Sequence, residues 1–360
     1  MTVICATYNH ESYIKDALDG FVKQETNFEF QVLVGDDGST DNTPSIVLEY
    51  AEQYPNIIIP VLRKSNIGAG KNWVDLISRA NSPYIAFCDG DDYWHDKSKL
   101  QKQFDYMEQS PDLRACFHDA LISIETEDGT WFQSNDYNNT DDGRLLWPSG
   151  NKRFRPKSFY RIENFIPFGF VHTSSMFIRW DRSIPFPDWF FGKGMSDYPL
   201  WVLQIGNGRF GYIPECLSTH RRTNSGAYDF ESKAEFWAET KPGWVELDKC
   251  FIDYFKSTVP SKSIERAFKL RMRDDLSKLI KGALDQESGE HAWRMMVKFS
   301  RDIKSLTGIS IKGSYSETKL SRKVKALQTA MPLPPYNSNR ISKLLRRFFR
   351  RSERKFLGMK

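Results

Sequence analysis

Two periodicities alternate along the first hundred residues. Val3–Ala6, Phe30–Val34, Ile57–Leu62 and Tyr84–Cys88 are short apolar runs with the length of buried strands. Between them, Tyr13, Ala17, Leu18, Phe21 and Val22 recur at helical spacing after Ser12. Thr43-Pro44 supplies a hydroxyl cap and a first-turn proline for a second helix carrying Ile46, Val47 and Tyr50. A third helix is expected over Trp73–Ala80, behind a glycine loop at Asn66–Gly70. Strands separated by such helices form βαβ units, so the expected sheet is mainly parallel with helices on its faces.

Later the pattern changes. Gln133–Gly150 is rich in Asn, Asp and Gly, the composition of an exposed loop. Phe165–Trp180, Trp189–Trp201 and Phe210–Pro214 are apolar and aromatic and are expected in the core. After Phe230 the periodicity is helical, as over Ile264–Leu284 and Ala292–Ile303, and Met331–Pro335 is a stiff linker. The expected organisation is an α/β domain over 1–228 divided near residue 110, a helical extension over 229–330, a linker over 331–336 and a tail over 337–360. No internal repeat is visible.

Charge sharpens this picture. The chain of 360 residues carries a formal +5, yet the tail holds nine basic residues against Glu353, a charge of +8, so the other 336 residues sum to −3. A slightly acidic body argues against a nucleic-acid-coating protein. With 40 % apolar residues and 14 % aromatics the chain can bury a sizeable core. Five cysteines without a CxxC pair point to free thiols in a reducing compartment. The opening Thr2-Val3-Ile4-Cys5-Ala6 lacks a basic leader, and no apolar run approaches the ~20 residues of a membrane span.

Ligands of open α/β sheets gather at the carboxyl ends of the strands. Three such ends carry small or acidic polar clusters: Thr7-Tyr8-Asn9, Asp36-Asp37 and Asp89/Asp91/Asp92. Gly68-Ala69-Gly70-Lys71-Asn72 lacks the ending of a P-loop, and no GxGxxG follows the first strand, which removes the ordinary nucleotide-binding motifs. Three carboxylates in the four residues Asp89–Asp92 repel one another unless a cation sits among them. Hard oxygen ligands suit Mg²⁺ or Mn²⁺, which would offset a bound diphosphate; a solvent-exposed acidic turn is the alternative.

Ala6-Thr7-Tyr8-Asn9, Asp36–Asp41, Asn66-Ile67-Gly68 and Asp89-Gly90-Asp91-Asp92-Tyr93-Trp94, in this order and spacing, resemble the family 2 glycosyltransferases of the GT-A fold. Ser196–Trp201 extends the likeness, and His220-Arg221-Arg222 does so weakly, to about residue 226. The resemblance implies a Rossmann-like sheet with a nucleotide-binding half over 1–110 and an acceptor-binding half over 111–228. It implies that Thr7, Tyr8 and Asn9 line the nucleotide pocket and that Asp37, with Asp36 as second choice, meets the base. Asn66, Gly68 and Lys71 would form the loop over the nucleotide. Asp89, Gly90, Asp91 and Asp92 would be the DxD-type element holding ribose and a Mn²⁺ or Mg²⁺ ion. Asp197 matches the general base. The family pattern has a proline where this chain has Ala6 and a histidine where it has Thr223, which leaves diphosphate contact to His220 or Arg221, or His220 to a structural role. His172 and Trp201 are candidates for the acceptor side, with core placement as the alternative for each.

The chemistry requires two separate acids. Attack on an anomeric carbon passes through an oxocarbenium-like state, so the departing diphosphate needs a cation and the acceptor hydroxyl a base. Metal coordination lowers a carboxylate's basicity, which favours a separate acid such as Asp197 over the Asp89–Asp92 cluster. The resemblance thus implies an inverting transferase that takes a sugar from a nucleotide-sugar, a UDP-sugar by family default, to a glycan or lipid-linked acceptor of the bacterial cell surface. A nucleotidyltransferase on a similar fold and a non-catalytic glycan- or membrane-binding relative are the alternatives. In the tail, Ile341, Leu344, Leu345, Phe348 and Phe349 share one helical face and Lys343, Arg346, Arg347, Arg350 and Arg351 fill the rest. That pattern suits an anionic membrane surface at the cytoplasmic face, or docking on protein. A homo-oligomer is left open.

Overall fold

The computed structural model describes residues 1–125, 131–132, 146–147, 149, 154–167, 169, 171–193, 196–223, 233–285 and 289–308, with a few positions between 310 and 327. Most of the Gln133–Gly150 segment, the proline-rich linker and the basic tail lie outside the described residues. The elements in chain order are β1 (Thr2–Thr7), α1 (Ile14–Val22), β2 (Gln31–Asp36), α2 (Thr43–Gln53), β3 (Ile58–Leu62), α3 (Ala69–Arg79) and β4 (Tyr84–Phe87). Then follow β5 (Tyr93–Trp94), α4 (Lys99–Glu108), β6 (Leu113–Glu125), β7 (Trp131–Phe132), β8 (Leu146–Trp147), β9 (Phe159–Arg161) and α5 (Ile162–Phe165). A 3-10 turn (Thr173–Ser175), β10 (Phe177–Arg179), α6 (Phe190–Lys193), α7 (Asp197–Ile205) and β11 (Arg209–Arg222) come next. The helices α8 (Lys233–Thr258), α9 (Lys262–Asp285), α10 (Gly289–Lys298) and α11 (Ser300–Thr307) follow.

The described strands form one sheet in the order β3-β2-β1-β4-β10-β6-β11-β5, with β7 and β8 paired to β6 and β9 to β11. It is parallel over β3-β2-β1-β4, as the βαβ pattern requires, and mixed beyond, because β10 runs antiparallel to both β4 and β6. Side-chain alternation divides the core into two layers. Val3, Cys5, Val32 and Val34 pack with Ile14, Leu18, Phe21 and Val47 of α1 and α2. On the opposite face Trp73 of α3 stacks on Phe87 at 5.2 Å. Gly35 is what allows α3 so close, since a Cβ there would stand 2.6 Å from both Asn72 Oδ1 and Leu76 Cδ1. Asn72 uses the gap to donate to the Gly35 carbonyl at 2.7 Å.

Register shifts in β11 between Ile213 and Cys216, and again before Ser218, bend the strand. Its far half then pairs with β5 as well as β6, setting Ser218 opposite Trp94 and Thr219 opposite Tyr93. This closure, absent from the sequence pattern, brings His220 to the acidic run after β4.

The chain divides into two compact units, one of residues 1–229 and 246–268 and the other of 230–245 and 269–360. Residues 246–268 therefore cluster with the α/β unit, although the sequence reading assigns all of 229–330 to a helical extension. Their Phe251 packs on Trp189 at 4.9 Å and on Phe268 at 5.0 Å. In the second unit a buried ion pair joins Lys241 and Asp275 at 2.8 Å, and the Arg271 guanidinium lies over the Trp244 ring at 5.1 Å.

Candidate active site

The polar clusters converge at the carboxyl ends of β1, β2 and β4. β1 is braced on both sides at its last residues: Asp37 N–H donates to Thr7 O at 3.0 Å and Gly90 N–H to Ala6 O at 2.8 Å. Gly90 has no room for a side chain, because a Cβ would stand 2.5 Å from Thr7 Oγ1. That hydroxyl is itself buried without a hydrogen-bond partner among the described residues. Asn9 follows in the left-handed region at φ 54°, which Asn tolerates better than most residues. Its side-chain oxygen accepts from Thr40 N–H at 2.8 Å and its own N–H donates to Ser39 Oγ at 2.8 Å, tying the β1 and β2 loops together. Tyr8 is left 41 % exposed.

Asp36 and Asp37 are both buried and both committed inside the protein. Asp36 caps its own turn, accepting from Gly38 N–H, Ser39 N–H and the Ser39 hydroxyl. Asp37 accepts from Ile67 N–H and Gly68 N–H at 2.9 Å each and so holds the Asn66–Gly68 loop. The role visible here is shaping that loop, which sits where α3 begins and leaves Asn66 and Lys71 exposed.

The acidic run divides its labour. Asp92, 2 % exposed, accepts from His220 Nδ1 at 3.0 Å and from Arg221 N–H at 2.8 Å. The sequence reading counts it among the metal ligands; in the structure its carboxylate also anchors β11 through these contacts. Asp89 accepts from Trp73, and burial together with the charges of Asp91, Asp92 and Asp197 pushes its pKa well above the usual carboxylate range. Asp91 is raised in the same way by burial and by Asp92, partly offset by His10 and His220. Arg221 lies over the Tyr93 ring at 4.5 Å and the Tyr13 ring at 5.7 Å, donates to the Asp91 carbonyl at 3.2 Å and pairs with Asp16.

Asp197 opens α7. Its carboxylate accepts from the Thr173 hydroxyl and from Tyr198 N–H, each at 2.7 Å. Burial raises its pKa, and these two hydrogen bonds with the nearby charge of His220 moderate the rise. His172 stacks on His220 with ring centroids 4.3 Å apart. Burial, then the charges of His220 and Arg222, hold His172 far below the normal imidazole pKa. For His220 burial opposes the charge, but Asp92 and Asp91 outweigh it and raise its pKa. His172 thus lies beside His220 and the acidic run. Trp201, at 1 % exposure and packed on Phe165, has no face for a sugar. The polar His172–Ser175 run inside an apolar stretch points toward the acceptor side without singling out Thr173, and Trp73 is expected only as a helix residue.

No group of three or more His, Cys, Asp or Glu side chains poised around one ion occurs among the described residues. A hard divalent ion that binds alongside substrate phosphates needs only one or two carboxylates from the protein. Asp89 and Asp91, repelling each other at the mouth of the strands, are a donor set of that kind.

The comparisons with known proteins agree with this arrangement. The model of the family "Glycosyl transferase family 2" matches residues 2–179. TuaG of Bacillus subtilis (strain 168), a glycosyltransferase assigned by name to teichuronic acid biosynthesis, is 34 % identical over 277 residues, covering 73 % of this chain and 97 % of its own. A protein of Mycobacterium tuberculosis (strain ATCC 25618 / H37Rv) without assigned function is 28 % identical over 336 residues, 92 % of this chain and 88 % of its own. Among solved structures, residues 1–349 of S. aureus TarS in complex with UDP-GlcNAc superpose with a TM-score of 0.54 at 16 % identity, covering 92 % and 90 % of the two chains, a likeness of fold. Strand-end motifs, sheet order and similarity to TuaG over 73 % of the chain lead to one assignment: the chain belongs to the family 2 glycosyltransferases and has their GT-A fold.

Proposed function

We propose that this glycosyltransferase is an inverting, metal-dependent enzyme that moves a sugar from a nucleotide-sugar, a UDP-sugar first, to a hydroxyl of a glycan or lipid-linked acceptor in cell-surface polysaccharide synthesis. The observation that carries the reading is the separation of two carboxylate functions within one site. Asp89 and Asp91 are the acids left for a cation, while Asp197 is held by Thr173 and Tyr198 away from that role. Asp89 and Asp91 would hold Mn²⁺ or Mg²⁺, which when bound neutralises charge on the leaving diphosphate. Thr7, Tyr8 and Asn9 with the Asn66–Lys71 loop would border the nucleotide. The raised pKa of Asp197 makes it a stronger base than an exposed carboxylate, suited to take the proton of the attacking hydroxyl. The basic segment 337–360, outside the described residues, would hold the enzyme to an anionic membrane on the cytoplasmic side. No described helix is long and apolar enough to cross one.

The test is a panel of UDP-, dTDP- and GDP-sugars incubated with Mn²⁺, reading release of nucleoside diphosphate and, by NMR, the anomeric configuration of the product. Asp197→Asn should lower turnover by roughly 10²–10⁴-fold with UDP affinity retained. Full activity in that variant, or a retained anomeric configuration, would refute the assigned base.

A further inference from the structure

The 3-10 turn Thr173–Ser175 contacts both sides of the site: Thr173 Oγ1 donates to Asp197 at 2.7 Å, and the preceding His172 stacks on His220. The backbone of the turn is gripped from the protein interior. Trp94 Nε1–H donates to Ser174 O at 2.9 Å, Gln103 Nε2–H to Ser175 O at 2.9 Å, and Ser174 Oγ shares a hydrogen bond of 3.1 Å with Ser218 Oγ. Trp94 is 2 % exposed, and Gln103, Ser174, Ser175 and Ser218 are wholly buried.

Beneath Trp94 stands Lys99, also wholly buried, with its ammonium 3.6 Å from the centre of the indole ring and no hydrogen-bond partner among the described residues. The Gln103 Oε1 is likewise without one. An unpaired lysine and a half-satisfied amide on the buried face of one helix are expensive choices; a leucine at either position would avoid the desolvation. Burial accordingly pushes the Lys99 amine down to about 7. What these side chains supply in return is geometric. The amide reaches one carbonyl of the turn, and the ammonium fixes the ring whose N–H reaches the next.

We propose that Trp94 and Gln103, with Lys99 seated on the indole, are positioning residues for sugar transfer: they fix the Thr173–Ser175 turn so that Thr173 presents the Asp197 carboxylate. This rests on the reading of Asp197 as the base. A carboxylate displaced by about 1 Å loses roughly 10²-fold in rate, so a support two residues removed from substrate has leverage on kcat without touching the nucleotide.

Trp94→Phe keeps a ring under Lys99 and drops the N–H; Gln103→Met keeps the volume and drops the amide, and serves if the first variant does not fold. With the fastest donor among UDP-GlcNAc, dTDP-rhamnose and GDP-mannose, each should lower kcat of Mn²⁺-dependent hydrolysis tenfold or more at unchanged KM and UDP affinity. Amide hydrogen exchange at Ser175 and Met176 should accelerate in both. Combined with Thr173→Val, the losses should be far less than multiplicative, since all act through one hydroxyl. Multiplicative losses, UDP affinity falling in step with kcat, or wild-type kcat in both variants overturns the proposal. Asp197→Asn tells the two ideas apart: if it retains turnover the base assignment fails, and if it is inactive while the bracket variants are normal only the positioning role fails.

Discussion

The Asp92–His220 pair joins residues 128 positions apart and closes β11 onto the acidic run, so its strength is worth measuring. Asp92 is 2 % exposed and His220 29 % on their side chains, at 3.0 Å. At an effective dielectric near 20 the gross attraction is on the order of 5 kcal/mol, most of it consumed by desolvation. A hydrogen bond between charged groups nets about 1.5–3 kcal/mol, and a neutral one about 1 kcal/mol. Because Asp92 and Asp91 raise the pKa of His220 above its ordinary 6.5, the ionic part is fully present below that value and is lost as pH climbs through the raised one. His172, held neutral, adds no competing charge in that window. A double-mutant cycle of Asp92→Asn and His220→Gln, read by urea denaturation, should therefore give a coupling of about 2–3 kcal/mol at pH 5.5 and about 1 kcal/mol at pH 9. The cycle cancels pH effects elsewhere in the chain. A coupling that is equal at both pH values, or greater at pH 9, would refute the argument.

Gly90→Ala forces a Cβ to 2.5 Å from Thr7 Oγ1 and 2.7 Å from Thr7 Cβ, so we expect a loss of about 1–3 kcal/mol by denaturation and weaker UDP binding by calorimetry; unchanged values would show that β1 and β4 can part there. Cys5, Cys88 and Cys116 are buried with raised pKa values, Cys116 to about 12, so in the native protein a thiol reagent should modify only Cys216 and Cys250 quickly, and mass spectrometry of labelled peptides checks this. Deleting residues 337–360 should abolish co-sedimentation with phosphatidylglycerol vesicles, since each basic residue near the surface contributes ~1 kcal/mol, while sugar-nucleotide hydrolysis persists; full vesicle binding by the truncated chain would disprove the tail's role.

Local pattern was enough for the first half of the fold. A buried parallel strand is a continuous apolar run, and β1 to β4 lie within two residues of the expected spans at either end. α3 begins four residues before the expected Trp73, because Ala69, Gly70 and Lys71 carry no apolar periodicity and the helix there is launched from Gly68. The strand ends could be found for the same reason: where an apolar run stops at Thr7, Asp36 or Cys88, polar side chains must emerge at one edge of a parallel sheet. The helical pattern over Ala292–Ile303 is realised as two helices that break at Phe299.

What each polar group does at that edge was decided by partners far along the chain. Asp91 and Asp92 are neighbours of identical chemistry, yet only the carboxylate of Asp92 is bonded to His220 and to the Arg221 N–H. Nothing local distinguishes them; the bulges of β11 and its pairing with β5 do. Asp197 could be named from its motif, but its hydroxyl donor Thr173 and the Trp94 and Gln103 supports beneath that turn come from three separate segments. Trp201 and His172 could each stand in the core or face the acceptor, because aromatic and imidazole side chains suit both; packing buries Trp201 and stacks His172 on His220. By itself the sequence determined the family, the parallel half of the sheet and the edge at which chemistry gathers, because those depend on burial periodicity and local motifs. Which carboxylate is tied to β11 and what holds Asp197 in place depend on contacts across 24 to 128 residues, and the tertiary structure alone decided them.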